Sequence, residues 1–207
     1  MIIAVTDRKI SAKRDLFEQL EAIADSSPDM IILREKDVSE AEYRYLAIEC
    51  MRLCSYRGVR FCTNSFINVA AALDTGRIQV SFDSLISNND KLRVFEEIWV
   101  SVHSLKEAVE AEKKGATHLI YGNVFETSCK PGARGKGIDE LKKVCAGVTI
   151  PIYAIGGIDL HNAGKVIQAG CEGVCVRSLL MRAEEPHRVV EGLRTECRLA
   201  AEGRKVK

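Results

Sequence analysis

Eight short apolar runs rich in β-branched residues recur along this 207-residue chain, and a helical pattern follows each run. Several runs are apolar at nearly every position, which is typical of parallel strands covered on both faces. Eight strand–helix units predict a closed (β/α)8 barrel, or TIM barrel, forming one domain over residues 1–207. The expected strands are IIAVT (2–6), MIILR (30–34), VRFCT (59–63), RIQVS (77–81), IWVSV (98–102), HLIYG (118–122), PIYAI (151–155) and GVCVR (173–177).

The spacing of capping residues predicts where several helices begin. The expected helices, with their capping residues, are 39–56 (Ser39, Glu42), 104–114 (Ser104, Glu107) and 159–169 (Asp159). A last helix is expected over about 186–202, and we expect the charged tail near 203–207 to be disordered. An open doubly wound sheet is the alternative fold. The barrel is favoured because no GxGxxG follows the first strand and candidate polar residues follow many different strands.

Composition excludes several classes of partner. Hydrophobic residues make up 46% of the chain, charged residues 29%, and the net charge is +1. This balance gives no reason to expect binding to nucleic acid or to a membrane surface. The chain lacks an apolar run long enough to span a bilayer, and its first residues, MIIAVTDRK, lack the pattern of a signal peptide. We therefore expect a cytoplasmic protein.

Eight cysteines are spread through the chain, without a CxxC pair and without a histidine near either CxxxC pair. This spacing predicts no zinc site, and we expect no metal ligands. Disulfides are not expected without a secretion signal, so most cysteines should be small buried apolar residues. Cys129 differs because it lies in a polar loop.

Polar side chains follow most of the expected strands at their carboxyl ends, where the active site of a barrel lies. Cations, hydroxyls and glycines occur together there, and this combination predicts an anionic ligand. The candidate binding residues are Arg34, Lys36, Asn64, Ser101, Thr127, Cys129, Lys130, Gly156, Gly157, Arg177 and Ser178.

The sharpest local signal is AIGGI at 154–158, paired with VRSLL at 176–180. Loops after strands 7 and 8 of a barrel often form a phosphate site, and glycines let the backbone approach the phosphate closely. The alternative is that Gly156 and Gly157 only make a tight turn while Ser178 only caps a helix. The two signals together favour phosphate binding.

Two further segments carry positive charge. The loop 127–137 contains three glycines that allow it to close over a ligand, and its Lys130 can neutralise anionic charge. A solvated surface loop is the alternative. Arg34 and Lys36 alternate along the chain and therefore share a side. Both can face the mouth of the barrel if the strand persists that far, and simple exposure is the alternative for Lys36.

His103 is the one histidine at the carboxyl end of an expected strand. An unperturbed imidazole titrates near neutrality, so it can accept and return a proton. The alternative is a histidine that is hydrogen-bonded locally at a helix start. A phosphate-binding ring opposite His103 favours the catalytic interpretation.

Six stretches resemble one family over nearly the whole chain: the thiamin phosphate synthase and TenI-type superfamily of small phosphate-binding barrels. The matching stretches are LREK (33–36), TN (63–64), SVHSLKEA (101–108), VFETSCK (124–130), PIYAIGGI (151–158) and VRS (176–178).

The synthase branch of this family joins a pyrimidine pyrophosphate to a thiazole phosphate, with magnesium on the pyrophosphate. The resemblance implies two magnesium-binding aspartates, but Ser65 and Ser84 stand at those positions, and Asp83 lies one position away. Ile32 replaces the glutamine that the branch has after strand 2. Magnesium prefers carboxylate oxygens, so these departures argue against pyrophosphate chemistry.

The tautomerase branch resembles the stretches around 101–113 and 124–130 more closely, which predicts a thiazole tautomerase that aromatises a carboxythiazole phosphate tautomer. The resemblance implies that His103 is the general acid/base, that Gly157 and Ser178 anchor the phosphate, and that no cofactor is needed. The expected partner is a small phosphorylated thiazole ligand, and a homodimer is expected because barrels often associate through their helices. Two alternatives stay open: a magnesium-dependent thiamin phosphate synthase, and a regulatory barrel that binds a phosphate ligand without turnover.

Overall fold

A closed barrel of eight parallel strands forms the centre of the molecule, in a computed structural model that describes residues 1–10, 14–127, 132 and 134–205. Each strand pairs with the next in chain order, and the last pairs with the first. The predicted (β/α)8 barrel is therefore confirmed. The strands are β1 (Ile2–Val5), β2 (Met30–Leu33), β3 (Arg60–Asn64), β4 (Arg77–Ser81), β5 (Glu97–Val102), β6 (His118–Gly122), β7 (Ile152–Ile155) and β8 (Gly173–Val176).

Helices pack around the outside of this barrel. The helix after β3 has only six residues, which shortens this strand–helix unit and helps the barrel to fit into 207 residues. The helix after β4 is interrupted by a non-helical residue, Asn88. Within the described ranges, we find no helix with the length and apolar character needed to cross a membrane. The helices are α1 (Leu16–Asp25), α2 (Glu40–Arg57), α3 (Ile67–Ala72), α4 (Phe82–Leu92), α5 (Leu105–Lys113), α6 (Gly137–Gly147), α7 (Ala163–Gln168), α8 (Ser178–Met181) and α9 (Pro186–Lys205).

The two predicted capping pairs start α2 and α5 as expected, but they differ in one bond. In α2, Ser39 Oγ accepts from Glu42 N at 3.2 Å and Glu42 Oε2 accepts from Ser39 N at 2.7 Å. In α5, Ser104 Oγ accepts from Glu107 N at 3.1 Å, whereas the Glu107 carboxylate accepts from the backbone N–H of His103 at 2.7 Å. Glu107 therefore fixes the chain at the carboxyl end of β5.

The predicted start of the seventh helix at Asp159 is wrong, because α7 begins at Ala163. Asp159 Oδ1 accepts from His161 N at 2.8 Å, and Asn162 Oδ1 accepts from Asp159 N at 3.0 Å. These bonds close a turn ahead of the helix, since Asp and Asn side chains satisfy local backbone donors in turns as well as at helix caps. The last helix continues to Lys205 rather than ending near residue 202.

Interlocked polar and aromatic side chains fill the amino-terminal end of the barrel. This barrel floor consists of Arg60, Arg77, Glu97, Trp99 and His118. The Glu97 carboxylate accepts from both guanidinium groups and from Trp99 Nε1, and the Trp99 and His118 rings stack with centroids 4.0 Å apart. Burial acts to raise the pKa of Glu97, but the Trp99 hydrogen bond and the two arginine charges lower it below its usual value. The floor is thus a packed layer in which one carboxylate pairs with two guanidinium groups.

The seven described cysteines are free thiols, five of them buried and two half-buried. Burial raises the pKa of Cys54 to about 12 and also raises the pKa of Cys50 and Cys62. These thiols stay protonated near neutral pH and behave as small apolar side chains. Cys129 lies outside the described residues.

We expect Ser39→Ala to lower the free energy of unfolding by about 1 kcal/mol, because α2 loses its capping hydroxyl. Urea unfolding followed by circular dichroism measures this change. Ser55, an exposed serine of the same helix, provides the control, and Ser55→Ala should stay within about 0.5 kcal/mol of the wild type. Equal effects of the two substitutions would contradict the capping role of Ser39.

Candidate active site

A cavity of about 250 Å³ opens at the carboxyl ends of the strands. Ten of the predicted site residues line it. They lie at the carboxyl ends of six different strands or just after them, so the structure brings them together at one end of the barrel. Their roles stay predictions. Cys129 and Lys130 lie outside the described residues. The ten residues are Arg34, Lys36, Asn64, Ser101, His103, Thr127, Gly156, Gly157, Arg177 and Ser178.

Apolar side chains of the barrel interior also contribute to the cavity wall. Val5, Ile32, Ile120, Ile155 and Cys175 line the cavity and belong to, or pack against, the apolar cluster inside the barrel. An apolar wall with a few convergent polar groups is typical of sites for small organic ligands. The cavity therefore suits a ligand that carries both a ring and an anionic group.

His103 is held at the cavity by two backbone contacts. Its Nδ1 lies 2.6 Å from the carbonyl oxygen of Gly122, and its backbone N–H donates to Glu107. A carbonyl oxygen can only accept, so Nδ1 must carry the proton of this hydrogen bond. In the neutral imidazole, Nε2 is then an acceptor, and the exposed side chain lines the cavity.

Amide and hydroxyl groups join the ends of β3, β4 and β5. The Asn64 side-chain amide donates to Gln79 Oε1, and Gln79 Nε2 donates to Ser101 Oγ at 2.9 Å. Behind them, the buried Tyr43 hydroxyl accepts from Asn64 N at 2.7 Å and donates to the Leu33 carbonyl at 2.7 Å. Burial raises the pKa of Tyr43, so its hydroxyl stays protonated.

Gln79 was not among the predicted site residues, although it is buried and lines the cavity. The signal was present, because this glutamine is the polar residue in the middle of the otherwise apolar IQV of the fourth strand. A polar side chain at an inward-facing strand position is expected to have hydrogen-bond partners when it is buried.

Two arginines at the mouth share one carboxylate. Arg34 Nη1 lies 3.8 Å from Asp7 Oδ2, and Arg177 Nη1 lies 3.4 Å from the same oxygen. The three side chains are mostly buried, with exposed fractions of 29%, 19% and 17% for Arg34, Arg177 and Asp7. Two cations and one anion leave this trio with a net positive charge, and partial burial strengthens its attraction for an anionic ligand. Asp7 was not among the predicted site residues.

A second charged group fixes the ends of β1 and β2. Glu35 is 2% exposed and accepts from Thr6 Oγ1 at 2.7 Å and from the Arg8 backbone N–H at 3.1 Å. Arg8 also makes a forked pair with Asp37, at 2.9 and 3.1 Å. These bonds hold the loops that carry Asp7 and Arg34 close together.

The glycine pair after β7 is required by the backbone itself. Gly156 and Gly157 have φ values of 98° and 66°, which side chains with a Cβ rarely adopt. A Cβ on Gly156 would overlap Asn123, and one on Gly157 would overlap the carbonyl oxygen of Glu126 and the side chain of Phe125. The turn and the close approach of the loop after β6 explain both glycines, while phosphate binding here stays a prediction.

The mouth of the barrel does not fit the magnesium site that the family resemblance implies. Ser65 lines the cavity, but its hydroxyl donates to Asn64 Oδ1 at 3.0 Å. Ser84 lies in the first turn of α4, where its backbone N–H donates to Ser81 Oγ, and Asp83 is exposed on the same turn and is not among the residues that line the cavity. In the part of the chain that the structure describes, no three His, Cys, Asp or Glu side chains group to hold a metal ion.

A family model described as thiamine monophosphate synthase matches residues 2–180. The chain belongs to this family. It is 33% identical to the thiamine-phosphate synthase of Clostridium acetobutylicum over 183 residues, and these residues cover 87% of each chain. It is 35% identical over 192 residues to that of Pyrococcus horikoshii, covering 92% of this chain and 91% of the relative. Among solved structures, the thiamine phosphate pyrophosphorylase from Pyrococcus furiosus superimposes with a TM-score of 0.82 at 29% identity, over 96% of both chains.

These relatives overturn the predicted thiazole tautomerase. Membership of the thiamine monophosphate synthase family places the chain among the enzymes of thiamin biosynthesis, but the curated relatives at about one-third identity are named synthases. The tautomerase prediction depended on two short stretches and on the two serines at magnesium positions. The similarity to the synthases extends over nearly nine-tenths of the chain, so it outweighs motifs of a few residues.

Proposed function

We propose that this protein is a thiamine-phosphate synthase, which joins a pyrimidine pyrophosphate to a thiazole phosphate. The observation that carries the proposal is the similarity to proteins of that name over 87% of the chain. The cavity supports it, because cationic side chains and glycine-rich turns converge around an apolar wall. Both proposed substrates combine an aromatic ring with phosphate groups, which matches this mixed lining.

Displacement of pyrophosphate explains why positive charge is needed at the mouth. The thiazole ring nitrogen forms a bond to the carbon that carries the pyrophosphate. As the carbon–oxygen bond breaks, the oxygen leaves with the electron pair and negative charge develops on it. Cations that are already in place stabilise such charge without reorganising. Arg34 and Lys36 follow β2 and line the cavity, so we assign them to the pyrophosphate.

We assign the thiazole phosphate to the loops after β7 and β8. Gly157 and Ser178 line the cavity there, and phosphate sites commonly form at these two loops of a barrel. Thr127 lines the cavity from the loop after β6 and is the proposed contact from that side. In this proposal, the two phosphate-bearing substrates bind at different parts of one mouth.

Direct measurement of coupling tests this function. The purified protein is incubated with the pyrimidine pyrophosphate and thiazole phosphate, in parallel with magnesium and with EDTA, and thiamin phosphate is separated by chromatography. Product in either arm supports the synthase. A folded protein that forms no product in both arms refutes it.

A regulatory barrel that binds the phosphate ligand without turnover is the second candidate. The observation that favours it is the pair of serines, Ser65 and Ser84, at the positions where the synthase pattern has aspartates. Tight calorimetric binding of thiazole phosphate, together with no coupling in either arm, would support this candidate over the synthase.

The general acid/base role predicted for His103 belonged to the isomerisation and is not carried into this proposal. We assign His103 a ligand contact through Nε2, since Nδ1 is engaged by Gly122. Loss of one hydrogen bond predicts that His103→Ala raises KM for one substrate about 5- to 10-fold with little change in kcat. His187→Ala, on the exposed side of α9, is the control. A large fall in kcat at constant KM would contradict this role.

A further inference from the structure

Three neighbouring strands bring one acidic and two basic side chains to the same side of the mouth. β1 pairs with both β2 and β8, so the residues that follow these strands are adjacent. Asp7 follows β1, Arg34 follows β2 and Arg177 follows β8. The Asp7 carboxylate lies between the two guanidinium groups and contacts both of them.

The contact between Arg177 and Asp7 is an ion pair without a tight hydrogen-bonded fork. The Nη1–Oδ2 distance is 3.4 Å, whereas the neighbouring Arg8 and Asp37 side chains meet in a fork at 2.9 and 3.1 Å. Charge-assisted hydrogen bonds between arginine and a carboxylate are typically about 2.7–2.9 Å long. Asp7 therefore restrains the Arg177 guanidinium while leaving it able to make a closer contact with a ligand.

Arg177 also lies close enough to the cavity for its charge to attract an anionic ligand there. It lines the cavity and its side chain is 19% exposed, so a ligand in the cavity shares its partly desolvated surroundings. A guanidinium is permanently charged, and its planar fork matches the oxygens of a phosphate group. An arginine of this kind supplies positive charge and two donors from the protein itself.

We propose that Arg177, restrained by Asp7 beside Arg34, binds the diphosphate of the pyrimidine substrate directly and without a divalent cation. This assignment rests on the proposed synthase function, and it accounts for the serines at positions 65 and 84. The two serines follow β3 and β4 and supply no carboxylate for a cation, whereas Arg177 supplies positive charge from the end of β8, at a different side of the same mouth. The substrate class that follows is an uncomplexed organic diphosphate.

Calorimetric titration with inorganic pyrophosphate tests the proposal independently of turnover. Wild-type protein is titrated in EDTA and in magnesium chloride, and Arg177→Gln and Arg177→Lys are titrated under the same conditions. The wild type and Arg177→Gln are also titrated with inorganic phosphate. Arg182→Gln is the matched control, because Arg182 is an exposed arginine just after α8 and its substitution changes the net charge by the same amount. Circular dichroism and urea unfolding establish that each variant is folded.

The expected result is binding of pyrophosphate to the wild type in EDTA, with apparent binding that is no tighter in magnesium chloride, because magnesium complexes free pyrophosphate in solution. Arg177→Gln should weaken this binding about 10- to 100-fold, Arg177→Lys by an intermediate factor, and Arg182→Gln by less than about 2-fold, as expected for loss of charged hydrogen bonds at a partly buried site.

Three results would overturn the proposal: binding only in the presence of magnesium, equal Kd values for Arg177→Gln and wild type, or an equal loss for inorganic phosphate and pyrophosphate in Arg177→Gln. The last of these would assign Arg177 to the single phosphate at the loops after β7 and β8. Because the titration needs no turnover, the wild type can bind pyrophosphate through Arg177 even if the coupling assay fails. The two failures are therefore distinguishable.

Discussion

Substitution of Arg34 by glutamine should lower kcat for thiamin phosphate formation by about 10²–10³-fold, the usual effect of removing one group that stabilises developing negative charge. Arg34 lies at the end of β2, is mostly buried and lines the cavity beside Asp7. Its backbone N–H donates to Thr6 Oγ1 at 2.9 Å, and this bond survives the substitution. The change therefore removes charge from the mouth without releasing the strand end.

Steady-state kinetics with both substrates, with and without magnesium, measure this effect. Arg52→Gln is the matched control, since Arg52 is 72% exposed on the outer face of α2 and should leave kcat within about 2-fold of wild type. Similar rates for the Arg34 and Arg52 variants would exclude Arg34 from charge stabilisation. A rise in KM with an unchanged kcat would assign Arg34 to substrate binding alone.

Gly157→Ala should lower the free energy of unfolding by about 2–5 kcal/mol. A left-handed backbone costs about 1–2 kcal/mol for alanine, and forcing a methyl group into a filled space costs about 1–3 kcal/mol more. Both terms apply at Gly157, because φ is 66° and a Cβ would overlap the Glu126 carbonyl oxygen and Phe125. The loop after β6 would have to move away from the loop after β7.

Gly58→Ala separates the two terms. Gly58 has nearly the same φ, 67°, at the end of α2, but a Cβ there would meet no atom within 4 Å. We expect Gly58→Ala to cost only the backbone term, about 1–2 kcal/mol in urea unfolding. Equal costs for the two substitutions would mean that the contact with the loop after β6 adds no strain.

The fold and the location of the site could be predicted from the sequence because both follow from local periodicity. A barrel repeats one strand–helix unit, so eight apolar runs of similar length establish the architecture without knowledge of any long-range contact. Residues such as Arg34, Asn64 and Arg177 were then found at strand ends, since parallel strands place their carboxyl ends at one mouth.

Contacts between different loops could not be predicted in the same way. The pairing of Asp7 with two arginines depends on how three loops bend beyond their strands, and the sequence pattern carries no information about that. Asp159 was misplaced because an aspartate closes a turn by the same bonds with which it caps a helix. The tautomerase prediction was wrong because a few substituted positions were given more weight than the similarity of the whole chain.

The barrel floor has a kinetic consequence for an enzyme with two substrates. Arg60, Arg77, Glu97, Trp99 and His118 fill the amino-terminal end of the barrel, so molecules exchange with the cavity through the mouth. In the proposed synthase, two substrates and two products would then share the passage that the described residues leave open at the mouth. The substrate that binds deeper in the cavity has to arrive first, and the product that occupies the deeper position has to depart last. A shared opening therefore predicts a compulsory order of substrate addition and product release. It also predicts inhibition when the substrate of the outer position binds first.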